Sequence, residues 1–121
     1  LNPVDTYTRA GMVPNLTFPF VTGRDFAGVV DAVGDGVTRF RPGDAVWGAN
    51  QAVGGRPGSW AEFTVAQEGW LYPAPAGADP AQTAALALVG VTAHIGLFQK
   101  AKLRPGEWVF VNGGTGGVGA C

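Results

Sequence analysis

Three glycines in the pattern Gly-x-Gly-x-x-Gly, Gly114, Gly116 and Gly119, follow directly on the apolar run Val109-Phe110-Val111. A buried strand that breaks into such a turn is how a dinucleotide-binding unit begins, because glycine lets the backbone turn tightly and approach a pyrophosphate closely. The plainer reading is a tight turn without a ligand, and the strand immediately before it weighs against that. The helix whose N-terminus would face the phosphates is missing after Cys121, so the sequence is expected to be a piece of a longer protein.

Other side chains able to do chemistry are few. Cys121 is the single cysteine and His94 the single histidine. One cysteine forms no internal disulfide and no cysteine-rich zinc module, and fits a reducing compartment. His94 falls in a helical stretch, where a lone histidine reads as structural rather than as a ligand. Near the start, Asn2, Thr6 and Tyr7 are spaced so that a short helix can turn their polar groups toward one place; the plainer reading makes Asn2 a cap and Tyr7 a packed aromatic.

The elements that position these residues follow from the same sequence. Asn2 caps, Pro3 suits the first helical position, and Gly11 ends that helix left-handed. Phe26 to Val33 is β-rich, with Gly28 as an interior glycine of the kind that marks a bulge or close approach, and is closed by Gly34-Asp35-Gly36. Arg41-Pro42-Gly43-Asp44 is a turn before the strand Ala45 to Gly48. The loop Gly54 to Ser59 leads into Trp60 to Val65, whose alternation predicts a half-buried strand, and then Trp70 to Pro73. Short strands with frequent turns predict a small barrel or sandwich. Asp79 caps and Pro80 opens an alanine-rich helix that breaks at Gly90; a second runs from about Val91 to Lys102, and Arg104-Pro105-Gly106-Glu107 feeds a strand from Trp108 to Asn112. The domain boundary is placed between Asp79 and Lys102.

Of the 121 residues, 46% are hydrophobic and 14% charged, enough apolar surface for a sizeable core and too little charge for disorder. Eight basic against nine acidic residues, with no basic run, leave no electrostatic footprint for nucleic acid or an acidic membrane. No apolar run is read as reaching the roughly 20 residues that span a bilayer, and no signal peptide is visible, though a targeting segment upstream is not ruled out.

Asn2-Pro3-Val4-Asp5-Thr6-Tyr7, Gly23-Arg24-Asp25-Phe26-Ala27-Gly28-Val29-Val30, Pro42-Gly43-Asp44, Gly90-Val91-Thr92-Ala93 and Gly113 to Gly119 together resemble the medium-chain dehydrogenase/reductase superfamily, and within it the zinc-independent quinone oxidoreductases related to zeta-crystallin. Each motif alone is weak; five at compatible spacing are specific. The resemblance implies a mainly β fold with some α: a GroES-like, partly open β-barrel over residues 1–90, then the first strand and glycine turn of a truncated Rossmann domain over 91–121. Asn2 stands where the metal-dependent alcohol dehydrogenases carry a catalytic cysteine, Gly23-Arg24-Asp25 replaces their Gly-His-Glu, and their four structural-zinc cysteines are absent, so no metal is expected.

The same resemblance implies an oxidoreductase that transfers a hydride from NADPH to a quinone or an α,β-unsaturated carbonyl. Tyr7 and Asn2 would be its catalytic residues, with Tyr7 placed to hold or polarise the substrate carbonyl. Thr92 would meet the nicotinamide, and Gly114, Gly116, Gly117, Val118 and Gly119 would border the pyrophosphate; the plainer reading of Thr92 is a helix residue bonding back to a carbonyl. NADH stays open, because the residues that choose lie roughly 20 positions past the glycines. A cytoplasmic homodimer is implied for the parent, and no activity for the isolated piece. Two alternatives stand beside this reading: an enoyl reductase module of a polyketide synthase, and a non-catalytic, crystallin-like binding domain.

Overall fold

The computed structural model describes residues 1–121. Asn2 is extended (φ −108°, ψ 156°) and Pro3 opens helix α1, Pro3–Arg9. The Asp5 carboxylate accepts from the Asn2 backbone N–H at 2.8 Å, satisfying a donor that the start of the helix leaves orphaned. Gly11 ends the helix at φ +75°, as its sequence position predicts.

Three short strands follow, β1 (Phe26–Val29), β2 (Ala45–Gly48) and β3 (Leu71–Pro73), in the order β1-β2-β3 with both pairings antiparallel. Phe26 pairs with Gly48 and Val29 with Ala45, while Trp47 stands opposite Tyr72, their rings stacked at 5.1 Å between centroids. Such a cross-strand aromatic pair fixes register as well as adding contact. Between β1 and β2 the expected turn forms: the Asp44 N–H donates to the Arg41 carbonyl, and the Asp44 side chain accepts from the Arg41 N–H at 2.9 Å. Before β3, the Glu68 carboxylate accepts from the backbone N–H groups of Thr38 and Arg39, and the Arg39 guanidinium donates to the Glu68 carbonyl at 2.7 Å. The result is an open sheet with few helices, of the expected class, mainly β with some α, over the first part of the chain.

Helix α2, Pro80–His94, is capped by the Asp79 carboxylate, which accepts from the Gln82 N–H at 2.8 Å, and lies against β1 and β2. Three sequence expectations are corrected here. Gly90 does not break the helix, since one glycine costs about 1 kcal/mol against alanine and Ala84 to Leu88 support the run; α2 continues into the wider π-type turns of Ile95–Lys100. The continuous helix Pro80–Lys100 is therefore 21 residues long and contains an 18-residue window of mean hydropathy 1.5, long and apolar enough to cross a membrane by length and composition. One such helix is weak support for a membrane span, because a helix covering a sheet passes the same test. The alternating Trp60 to Val65 and the apolar Trp108 to Asn112 form no strands. Both lack a neighbouring ladder, and a strand is defined by its partner; Trp108 is 100% exposed and Phe110 93%.

Gly28 marks no bulge: it pairs regularly with Val46, and nothing approaches within 4 Å of where its Cβ would be. The close approach falls instead at Gly58, whose Cβ would run into the Thr22 carbonyl and whose N–H donates to Val21 at 2.7 Å. That contact seats residues 58–60 beside 21–23. The buried apolar residues are Phe40, Val46 and Ala87, whereas Asn2, Asp5, Thr8 and Gln51 are buried and polar. Buried polar groups need partners, and tracing theirs leads to the site.

Candidate active site

Asn2, the cap of α1, is buried and forms a capping box with Asp5, and its side-chain nitrogen reaches beyond the helix. Its Nδ2 donates to Asp25 Oδ2 at 2.6 Å. The other carboxylate oxygen of Asp25, Oδ1, accepts from the backbone N–H of Leu88, in the middle of α2, at 3.0 Å. The backbone of Asp25 is itself held, its carbonyl accepting from Ser59 Oγ at 2.6 Å. One residue at the entrance to β1 thus joins α1, the loop after Gly58, and α2.

Burial raises the Asp25 carboxyl above its ordinary value, because desolvation disfavours charge; the bonds from Asn2 and Leu88 pull the other way without overcoming it. The like charge of Asp5 adds to the rise. Around this junction, Asp5 Oδ1, Arg24 Nε and Gln51 Oε1 are buried without a hydrogen-bond partner. The neighbourhood is polar, closely packed and short of partners.

Tyr7 lies on α1 but is 51% exposed and not part of this network. Thr92 sits one turn beyond Leu88 and donates its hydroxyl to the Leu88 carbonyl at 2.7 Å. That is the geometry of its plainer reading, and it also places the side chain on the α2 face that carries the Asp25 contact, since residues four apart share a face.

The glycine turn reaches α2 as well. A Cβ built on Gly117 would stand 3.2 Å from Val89 Cγ1, so the turn lies against the helix side chain by side chain, without room to spare. Within it the Gly116 N–H donates to the Gly113 carbonyl and the Ala120 N–H to the Gly116 carbonyl, both at 2.9 Å. The N–H groups of Gly114, Thr115, Gly117, Val118 and Gly119 have no backbone acceptor. Gly119 is obligatory, because a Cβ there would collide with the Gly113 carbonyl, whereas at Gly114 the nearest atom would be 3.8 Å away. A glycine-lined turn with a row of free backbone donors suits an anionic phosphate group.

The structure therefore brings Asn2, Thr92 and the glycine turn to one helix, and leaves Tyr7, exposed on α1, outside that set. Reading the sequence residue by residue missed Asp25 as a member of the site: it stood only as the replacement for a glutamate. No three His, Cys, Asp or Glu side chains lie close enough to hold a metal ion, and His94 is exposed with its ring 5.2 Å from Phe98.

Comparison with known proteins gives this geometry a context. Residues 1–76 match the profile of the alcohol dehydrogenase GroES-like domain. The chain is 41% identical over 120 residues to the quinone oxidoreductase of Rattus norvegicus, an alignment that takes in 98% of this chain and 35% of that protein. A solved mycobacterial protein, complexed with NADPH, superposes with a TM-score of 0.83 at 36% identity, over 98% of this chain and 36% of that one. Over 97 residues the chain is also 41% identical to the phthioceranic/hydroxyphthioceranic acid synthase of Mycobacterium bovis, covering 80% of this chain and 4% of the synthase. The chain spans 35% of the length of the curated quinone oxidoreductases it matches.

Proposed function

The chain belongs to the alcohol dehydrogenase GroES-like domain family of the medium-chain dehydrogenase/reductases, and we propose that a protein of its relatives' length carrying it moves a hydride from NADPH to a quinone or an α,β-unsaturated carbonyl without zinc. The observation that carries this reading is the convergence on α2: the free N–H row of the glycine turn at Val89, and the Asn2–Asp25 pair at Leu88.

A bound nicotinamide nucleotide supplies the hydride. The residues of this chain orient it and its acceptor. In the proposal the backbone donors of Gly114, Gly117, Val118 and Gly119 hold the pyrophosphate, with Gly116 shaping the turn, and Thr92 borders the nicotinamide. Tyr7, exposed on α1, donates its hydroxyl to the acceptor oxygen as charge develops there. Orienting two bound reactants is worth roughly 7–11 kcal/mol, and one preorganised donor to an oxyanion about 3–4 kcal/mol. Orientation is the larger share, which suits acceptors already prone to take a hydride.

Support for zinc independence comes from the donor set. Position 2 carries an amide whose NH2 is committed to Asp25, and position 24 carries a guanidinium, which repels a cation. Residues 1–90 are proposed as the GroES-like domain and 91–121 as the start of the nucleotide-binding domain, with α2 crossing the division.

The similarity to the synthase favours a second reading, the same hydride transfer to an enoyl thioester within a polyketide synthase. NADPH oxidation by the full-length protein separates the two. The proposal expects turnover with free quinones or enones and little with an enoyl thioester; a preference for the thioester supports the synthase reading, and turnover with none of the three overturns both.

A further inference from the structure

We propose that Asp25 is a positioning residue, whose carboxylate sets the orientation of the Asn2 carboxamide and ties it to α2 one turn before Thr92. The inference rests on the functional reading above in that Asn2 and Thr92 are its substrate-side and cofactor-side residues.

The two contacts of Asp25 are not interchangeable with ordinary packing. An ionised carboxylate only accepts, so the Asn2 amide must turn its NH2 toward Asp25 Oδ2, with Asn2 Oδ1 facing the Asp5 N–H in the cap of α1. Without this neighbour only the cap of α1 holds the carboxamide, and its NH2 has no fixed acceptor. At the other end, the Leu88 N–H lies inside a helix, where the carbonyl four residues back is its normal partner. The helix needs no side chain there. The 3.0 Å contact serves to place the carboxylate, and with it Asn2, relative to α2. From Leu88 the connection continues through its carbonyl to Thr92 Oγ1 at 2.7 Å.

The position is also costly to hold. Burial raises the Asp25 carboxyl, so the folded chain bears a penalty for keeping it charged. A residue kept at such a site for stability alone is better replaced by a neutral one, whereas a residue that sets an orientation is not.

The test uses the full-length protein, with Asp25→Asn and the exchanged pair Asn2→Asp/Asp25→Asn. Asp25→Asn puts an NH2 among donors. In the exchanged pair, the amide at position 25 accepts from Leu88 through its oxygen and donates through its nitrogen to the carboxylate at position 2. We expect Asp25→Asn to lower kcat/KM for the quinone on the order of 10- to 100-fold, the scale of a misplacement of about 1 Å, with the unfolding midpoint at neutral pH unchanged or raised. The exchanged pair should recover part of that loss, so that the two substitutions are non-additive. Hydrogen exchange in α1 and in the turn around Leu88 should accelerate together in Asp25→Asn. A wild-type enzyme that turns over and is unaffected by Asp25→Asn overturns the inference and leaves the functional reading standing. A wild-type protein with no quinone or enone turnover overturns the functional reading, and hydrogen exchange then decides the tie: unchanged exchange in α1 overturns it, coupled acceleration supports it.

Discussion

The two ends of the chain meet α2 by opposite means. At the front, Asn2 and Asp25 reach Leu88 through directional bonds of 2.6 and 3.0 Å between part-buried polar atoms. At the back, the glycine turn rests on Val89 by shape, with the N–H groups of Gly114, Thr115, Gly117, Val118 and Gly119 unused. A hydrogen-bonded junction fixes angles and tolerates little change in chemistry; a packed turn fixes distance and tolerates little change in volume. The first is suited to aiming a side chain, and the second to leaving donors free for a ligand. Substitutions should therefore fail differently at the two ends.

The largest effect is expected at the back. Gly119→Val drives a side chain into the Gly113 carbonyl, and NADPH affinity measured by fluorescence titration of the full-length protein should fall at least on the order of a hundredfold, about 2.8 kcal/mol. At Gly114 the chain has room for a methyl, so in Gly114→Ala unfolding should be unaffected while NADPH affinity falls, and full affinity in that variant would show that no ligand approaches there. Tyr7→Phe should lower turnover by about two orders of magnitude if its hydroxyl meets the developing oxyanion; an unchanged rate makes it a surface aromatic.

Two carboxylates give a smaller, pH-dependent contrast. The folded-state value of Asp25 is raised above 3.8, so wild-type stability is lost relative to Asp25→Asn as pH rises from the unfolded value through the folded one. Glu68, exposed and lowered below 4.5 by the Arg39 and Thr38 N–H groups, contributes stability present above its unfolded value and lost as pH falls through the folded one. Urea midpoints followed from about pH 3 to about pH 7 should thus slope in opposite senses when each variant is subtracted from wild type; parallel slopes would contradict the burial of Asp25. The smallest change is Thr92→Val, within about 0.5 kcal/mol in stability, with any rise in the NADPH Kd reporting a contact with the nucleotide.

Local features were legible in the sequence and pairings were not. The α1 cap at Asn2-Pro3, the turn at Pro42-Gly43, strands β1 and β2 and the tight turn at Gly113 to Gly119 each depend on residues a few positions apart. Trp60 to Val65 and Trp108 to Asn112 have strand-like residues and no ladder, because alternation records which residues suit a strand and not whether a partner lies alongside. Gly90 was read as a break because propensity is local, while the helix around it is supported by its neighbours and by the sheet beneath. The Asp25 junction was invisible for the same reason: its partners lie 23 and 63 residues away in sequence. The contrast with the Gly-His-Glu of metal-dependent alcohol dehydrogenases marked the position, but only the fold shows the carboxylate bound to an amide and a helix N–H.

In the proposed reaction of the full-length protein, hydride transfer runs on orientation without a Lewis-acidic metal. The most direct test is NADPH oxidation by the full-length protein with a quinone acceptor, measured before and after exhaustive treatment with a zinc chelator. A zinc-free site gives the same rate in both; activity that disappears on chelation and returns with added zinc would show that a metal takes part.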